Sequence, residues 1–286
     1  MSTAEHFTLT MGTHCSKGED MDMDAMYAGP WVGEFGWELC WWNPMIRHYS
    51  KQYGYTTVSA PESSRYLYEF ADNFIPLKAK GITYWEGELE GEPPVVIEQF
   101  SMTPEHEFAR HINEPERVSA KRSWRSLAPE NPVKVADVLC AFRPEKSIRN
   151  RPIPGKSYPF QKCQEIVNHL IARGLSVACI GGIENFCPTG AYDLRCTSLE
   201  KLCSAIAGAR CVVGSSSGPI HLASLCECPH VTWIASPHHT LEQRYTKLWN
   251  PFDTPVKFVC HSRLPSPEEV VQHAENLLRP ETKEGI

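Results

Sequence analysis

The sequence predicts an α/β protein whose sheets are parallel. Short apolar runs rich in β-branched residues alternate with longer segments that carry apolar residues at helical spacing. This order favours a parallel sheet covered on both faces, because each crossover helix returns the chain to the same end of the sheet. The 286 residues suffice for one large domain or two of about 140 residues each. We interpret the polar, proline-flanked stretch 113–132 as the boundary between two such domains.

The second half shows the alternation more clearly than the first. In the first half we expect a strand beginning near Met26, a glycine-punctuated turn over 32–39, helices over 41–53 and 63–70, and strands over 55–59 and 82–85. In the second half we expect strands over 133–142, 175–180, 211–213 and 230–234, and helices over 160–173, 198–207 and 267–278. Two N-caps are predicted, one at Thr197 or Ser198 and one at Ser266.

The composition excludes some classes of function. The formal net charge of −6 argues against a broad electrostatic grip on nucleic acid. No apolar run is long enough for a membrane span, and the first 25 residues are predicted to be a flexible tail. Several of the twelve cysteines, such as Cys140, Cys179 and Cys211, lie inside apolar runs as small hydrophobes. We therefore expect reduced thiols in a cytoplasmic protein. Cys226, Cys228 and His230 lack a second ligand pair, so no metal is expected there.

The strongest functional signal is the stretch 212–223, with the sequence VVGSSSGPIHLA. It reads as a strand, a turn of small residues and a helix start with proline in its first turn. Such a helix start presents unpaired N–H groups and a positive dipole end, which suit a phosphate or diphosphate. Two further segments, 143–146 and Gly181-Gly182, also follow predicted strands. Ligands of parallel sheets bind at the carboxyl ends of strands, so the three segments together predict a site for a nucleotide or nucleotide-sugar.

Residues 135–235 resemble the ADP-heptose:lipopolysaccharide heptosyltransferase family of glycosyltransferases. The similarity rests on a leucine-containing helix from Leu199, the link IAGAR, the strand end VVG and then SGPIHLA up to Ala223. The resemblance implies the GT-B architecture, two Rossmann-like domains that face a cleft. We accordingly predict a tail over 1–25, an acceptor domain over 26–130, a nucleotide-sugar domain over 131–265 and a C-terminal helix and tail over 266–286.

The resemblance also implies roles for particular residues. Ser217, Gly218 and the amides around Pro219 would hold the diphosphate, with His221 close to the donor. Lys156 or Arg143 would neutralise phosphate charge, and Ser216 and Gly182 complete the predicted donor site. The alternatives are that His221 bonds its own loop and that Lys156 and Arg143 are solvated cations. The family needs no metal and no cofactor beyond the nucleotide-sugar, which is a co-substrate.

Two positions depart from the family pattern. Ser216 stands where the family has Asp, and Trp37 stands where an Asp near the reacting centre is expected. Glu38 or Glu34, which flank Trp37, would then be the base that deprotonates the acceptor, with Glu38 preferred. Both acids could instead be first-turn residues that the helix dipole favours.

The acceptor stays open at the level of sequence. A saccharide hydroxyl is the main expectation, and a hydroxylated base in DNA is the alternative, as in phage base-modifying glucosyltransferases. For DNA, a basic stretch interleaved with Trp124 is the supporting feature; its members are Arg110, Arg117, Lys121, Arg122 and Arg125. We favour a solvated linker for this stretch, because acids interrupt it. A hypothesis of a different class is a non-catalytic nucleotide-sugar-binding protein or scaffold. We also expect 237–239 and Arg244-Tyr245 to lie near the donor.

Overall fold

The computed structural model describes residues 25–28, 31, 35–77, 123–144, 155–236 and 240–279. These residues divide between two compact units. The described residues up to Ser123, apart from Phe35–Cys40, form the first unit. Phe35–Cys40 and the described residues from Trp124 onward form the second. The predicted tail lies outside the described residues, except that Ala25 begins the first strand.

The first unit contains a parallel sheet of three strands in the order β1-β2-β3. The strands are β1 (Ala25–Ala28), β2 (Tyr55–Pro61) and β3 (Asn73–Leu77). β3 was not predicted; it contains Pro76, a residue that lacks a backbone N–H and is uncommon inside strands. Within the described residues it pairs with β2. The predicted strand over 82–85 lies outside the described residues.

The helices of this region differ in type from the prediction. A turn was expected over 32–39 and one α-helix over 41–53. The chain forms a short helix α1 (Phe35–Trp37), a π-helix (Glu38–Trp42) and then α2 (Asn43–Ser50). The segment predicted as a helix over 63–70 is a 3₁₀ helix (Glu62–Tyr68). Pro44 does lie in the first turn of α2, as expected from its missing N–H.

The second unit contains a parallel sheet of six strands in the order β6-β5-β4-β7-β8-β9. The strands are β4 (Val138–Ala141), β5 (Val177–Cys179), β6 (Tyr192–Asp193), β7 (Cys211–Ser215), β8 (His230–Ala235) and β9 (Val256–His261). The chain winds outward from β4 to β6 and then in the opposite direction from β7 to β9. The central pair β4 and β7 is therefore the topological switch point, where parallel sheets leave a crevice for ligands.

Five helices accompany this sheet: α3 (Phe160–Ala172), α4 (Leu199–Gly208), α5 (Gly218–Leu225), α6 (Thr240–Trp249) and α7 (Pro267–Leu278). The predicted α/β class with parallel sheets is confirmed, and α3, α4 and α7 match their predicted ranges to within one residue. The predicted capping serine of α7 is also confirmed, because Ser266 forms a capping box with Glu269. Of the two residues predicted as the N-cap of α4, Ser198 occupies that position, but its side chain makes no capping hydrogen bond. The Thr197 hydroxyl donates to the Leu194 carbonyl at 2.6 Å.

The core of the second unit lies on the strands of this sheet. Cys140, Cys179 and Cys211 are fully buried there, as predicted for small hydrophobes, and burial raises the pKa of each thiol. The predicted strand over 133–142 is shorter than expected, because its first residues are exposed, Val133 to 60%. In the described part of the chain, no helix is both long and apolar enough to cross a bilayer.

Candidate functional site

The predicted phosphate-binding turn lies at the switch point of the six-stranded sheet. β7 ends at Ser215, beside β4, and α5 begins three residues later at Gly218. The backbone N–H of Ser216 donates to the Trp233 carbonyl on β8 at 3.0 Å, which fixes the turn between two strands. The sequence thus places the start of α5 at the edge of the sheet where ligands of such folds bind.

The N-terminus of α5 is built without a cap of its own. Ser217 occupies the N-cap position with extended backbone, yet its side chain makes no capping hydrogen bond. Pro219 lies in the first turn, and that turn contains no acidic residue. The helix dipole therefore leaves a partial positive charge that no carboxylate of the first turn offsets. An anion is the natural complement of this end.

His221 lies in the first turn of α5 and is only 6% exposed. Its Nδ1 is buried and has no hydrogen-bond partner in the described structure. Burial, and next the charge of Lys156, lower the pKa of His221 to about 3, so the imidazole is neutral at pH 7. The alternative in which this ring bonds its own loop is not observed. Because buried polar atoms are usually paired, the unpartnered Nδ1 leaves a hydrogen-bonding position open at the start of α5.

Lys156 is placed by the turn that precedes α3. Gly155, at φ +73°, accepts a hydrogen bond from the Ala235 N–H at 2.7 Å, and a side chain at position 155 would overlap the Ala235 carbonyl. This contact anchors the turn at the carboxyl end of β8. The ammonium of Lys156 therefore lies close enough to His221 to disfavour the imidazolium. The structure brings these two predicted site residues together.

The segment Phe35–Cys40 belongs to the second unit and packs against the start of α5. A Cβ on Gly36 would lie 3.3 Å from His221 Cδ2, and one on Gly218 would lie 2.7 Å from Phe35 Cδ1. A side chain at position 218 would overlap the Phe35 ring, and one at position 36 would press on the His221 ring, so the glycines let the two segments approach without displacing these rings. This segment was expected in the acceptor domain, and the contact with α5 explains why it belongs to the second unit instead.

Glu38 follows directly in this segment and begins the π-helix Glu38–Trp42. Its side chain is 2% exposed. Single-turn π-helices often mark functional sites, because the extra residue redirects side chains. Glu34, the alternative base, lies outside the described residues. The two acids were predicted from the same turn, and the structure locates only Glu38 in the unit that carries α5.

An aromatic cluster borders His221. The Trp249 ring lies 4.9 Å from the His221 ring, and its other neighbours are Tyr245 at 5.8 Å and Trp37 at 6.2 Å. Trp249 was not predicted, although its spacing of four residues from Tyr245 on α6 indicates that the two rings share a face of that helix. Tyr245 was expected near the donor, which stays a prediction. Its side chain is fully buried, with the ring 5.8 Å from the His221 ring.

The remaining predicted donor residues lie at neighbouring strand ends. Arg143 comes two residues after β4, and its carbonyl accepts a hydrogen bond from the Tyr158 N–H at 3.5 Å. Gly182 follows β5, one strand away from the switch point. Arg195 holds the loop that follows Gly182, because its guanidinium donates hydrogen bonds to the carbonyls of Ile183 and Asn185. Residues 237–239 and the side chain of Arg244 lie outside the described part of the structure.

The described residues include the cysteine–histidine pattern at 226–230 and one residue of the basic stretch. Within the described ranges, no three His, Cys, Asp or Glu side chains are grouped so that they could hold a metal ion. His230 Nδ1 is within 3.0 Å of the Cys228 carbonyl and its Nε2 within 2.8 Å of the Tyr245 hydroxyl, so both nitrogens are occupied. Of the basic stretch that suggested DNA, the structure describes only Arg125.

Comparisons with known proteins identify relatives by structure only. No family model matches the chain, and no curated protein matches it by sequence. The ADP-heptose lps heptosyltransferase II of E. coli has a similar structure, with a TM-score of 0.52, 14% identity and coverage of 89% of this chain and 98% of that one. A glycosyl transferase family 9 protein from Veillonella parvula DSM 2008 has a TM-score of 0.54, 12% identity and coverage of 92% and 99%. The expected resemblance is thereby confirmed for the fold: the chain has the parallel α/β fold of these glycosyltransferases.

Proposed function

We propose that this protein is a glycosyltransferase that moves a sugar from a nucleotide-sugar to a hydroxyl of a saccharide acceptor. The observation that carries the proposal is the start of α5. An uncapped helix N-terminus lies at the switch point, and a buried neutral imidazole with an unpartnered Nδ1 lies in its first turn. A diphosphate satisfies both requirements, because its oxygens accept from backbone N–H groups and from an imidazole N–H.

In the proposed mechanism, the second unit stabilises the leaving group. The amides at Ser217 and Gly218, the N–H of His221 and the ammonium of Lys156 balance the charge that develops on the diphosphate as the glycosidic bond breaks. Arg143, at the end of β4, is proposed to add positive charge, and Ser216 and Gly182 complete the donor site. No step requires a metal ion. We propose that this chemistry takes place in the cytoplasm.

Glu38 is the proposed base that takes the proton from the acceptor hydroxyl. Its support is positional: it lies two residues after Gly36, whose backbone borders His221. Glu34 remains the alternative base. The saccharide acceptor is favoured over DNA because the formal net charge of −6 argues against a broad electrostatic contact with a nucleic acid.

The proposal is tested by thermal melting against a panel of nucleotide-sugars, followed by a transfer assay with the donor that binds. A ligand that binds only the folded state raises the melting temperature in a concentration-dependent way. Lys156→Ala is expected to weaken donor affinity about tenfold or more, as for a hydrogen bond to a charged group. Lys201→Ala, which removes an exposed lysine of α4, is the matched control and should bind like the wild type. Binding without turnover would support the scaffold hypothesis, and no shift with any donor would refute both.

A further inference from the structure

Behind His221, three buried polar side chains from three different elements meet. Ser224 comes from α5, His230 from β8 and Tyr245 from α6, and each is 0% exposed. The Tyr245 hydroxyl lies 2.8 Å from His230 Nε2 and 3.2 Å from Ser224 Oγ, and Ser224 Oγ lies 3.3 Å from His230 Nε2. A buried polar group is costly unless it is paired, and all three are paired with one another. The mechanism described above uses none of them.

The protons of this network can be assigned from its chemistry. The Cys228 carbonyl can only accept, so His230 Nδ1, 3.0 Å away, carries a proton and donates to it. Burial lowers the pKa of His230 to about 4, so the ring is neutral at pH 7 and its Nε2 is an acceptor. The Tyr245 hydroxyl then donates to Nε2, and Ser224 donates to one of its two neighbours. This tautomer follows from the partners.

The network acts on His221 through Tyr245. His221 and Ser224 are three residues apart on α5 and therefore share a face of that helix. The hydroxyl of Tyr245 binds at Ser224 while its ring lies 5.8 Å from the His221 ring, inclined by 33°. Tyr245 is thus held at its tip by α5 and β8, and its ring forms the wall behind the imidazole.

The same bonds fix the position of Trp249. Tyr245 and Trp249 are four residues apart on α6, so a rotation or slide of the helix would move both. A second connection lies just beyond the C-terminal end of α6, where the Thr254 hydroxyl donates a hydrogen bond to the Ser224 carbonyl at 3.1 Å. Asn250 holds Thr254 in turn, with its amide and carbonyl groups bonded to the Thr254 backbone at 2.8 and 3.0 Å. Helix α6 is therefore fastened to α5 at two points.

We propose that Ser224, His230 and Tyr245 form a positioning network that holds the His221 imidazole and Trp249 in the geometry that receives the diphosphate. The proposal rests on the proposed function for the identity of the ligand. None of the three residues touches the ligand, since each lies in the interior. The network is the support that keeps an unpartnered imidazole in one orientation before the ligand arrives.

The first arm of the test needs no ligand. Long-range ¹H–¹⁵N spectra of the imidazoles at pH 7 should show His230, identified by its loss in His230→Gln, as the neutral tautomer with a proton on Nδ1. The His221 resonances should shift or broaden in Tyr245→Phe, because the ring wall is no longer held at its tip. A proton on His230 Nε2, or unchanged His221 resonances, would overturn the proposal whether or not the protein binds a nucleotide.

The second arm measures affinity for ADP, GDP, UDP and CDP. Tyr245→Phe should weaken the one that the wild type binds about tenfold, as expected when a binding group loses its fixed orientation. Tyr158→Phe is the matched control, because it also removes one buried hydroxyl, bonded to the Pro265 carbonyl at 2.9 Å, and should keep wild-type affinity. His230→Gln retains an acceptor for Tyr245 and should bind better than His230→Leu. If the wild type binds and Tyr245→Phe binds equally well, the network does not position His221. If the wild type binds none of the four, the proposed function fails, and the first arm still decides on the network.

Discussion

Two helix starts in the second unit share a serine at the N-cap position and a proline in the first turn, yet only one of them is capped by its own side chains. α5 begins after Ser217 with proline in its first turn, and α7 begins after Ser266 with proline in its first turn. At α7, Ser266 Oγ accepts from the Glu269 N–H at 3.2 Å, and the Glu269 carboxylate accepts from the Ser266 N–H at 3.3 Å. At α5, the serine makes no capping bond and no acid lies in the first turn. One helix start is completed by its own side chains, and we propose that a ligand completes the other.

The absence of a cap is not sufficient to mark a site. α3 also begins without a capping side chain, but Phe160 and Gln161 at its start are exposed, so water can reach its N–H groups. The start of α5 differs because His221 is buried with an unpartnered Nδ1 and because the helix follows a central strand. These two features, rather than the missing cap alone, support our proposal that the start of α5 binds a ligand.

The largest effect is expected from Glu38, the proposed base, which directly follows α1, the helix that packs against α5. Glu38→Gln preserves shape and removes the proposed base, so transfer should fall by about 10²- to 10⁴-fold while donor affinity stays the same. Steady-state kinetics and a binding titration on the same preparation measure the two quantities. Glu200→Gln, at the exposed first turn of α4, is the control. Full activity in both Glu38→Gln and Glu34→Gln would exclude a carboxylate base from this turn.

The burial of His221 and His230 should also make the free energy of unfolding depend on pH in the acid range. The pKa values of His221 and His230 are lowered to about 3 and about 4, so between pH 6.5 and 4 the unfolded chain binds protons that the folded chain does not. The free energy of unfolding should therefore decrease as the pH falls through this window, by at most about 1.4 kcal/mol per pKa unit for each group. Urea unfolding at a series of pH values measures the slope. It should be shallower in His230→Gln and shallower still with His221→Phe added, and an unchanged slope would contradict the burial of these rings.

The smallest effect is expected from the two serines themselves. Ser266→Ala removes a capping bond and should lower the free energy of unfolding by about 1 kcal/mol. Ser217→Ala removes no such bond, so its effect should stay within about 0.5 kcal/mol. Chemical denaturation of both variants under identical conditions gives the comparison. Equal losses would mean that Ser217 caps α5 in solution, and the distinction between the two helix starts would disappear.

Sequence patterns were sufficient for the parts of the fold that local chemistry determines. The run of apolar residues into VVG, the small turn and the proline predicted the strand and helix at the site, and Ser266 was predicted as the N-cap of α7. The packing of Phe35–Cys40 against α5 could not be predicted, because it depends on glycines at Gly36 and Gly218 that are distant in sequence. The same limit applies to the Ser224–His230–Tyr245 network. Cys228 and His230 looked like an incomplete metal pattern until the partners of the ring were known.

The central claim is that a ligand diphosphate completes the start of α5, and one titration tests it most directly. Calorimetric binding of ADP, GDP, UDP and CDP is compared among the wild type, His221→Phe and Ser266→Ala, together with the melting temperature of each. We expect His221→Phe to lose about tenfold or more in affinity with an unchanged or higher melting temperature, since it removes an unpaired buried polar atom. We expect Ser266→Ala to lose stability and keep its affinity. Wild-type affinity in His221→Phe, or no binding of any of the four nucleotides to the wild type, would contradict the account.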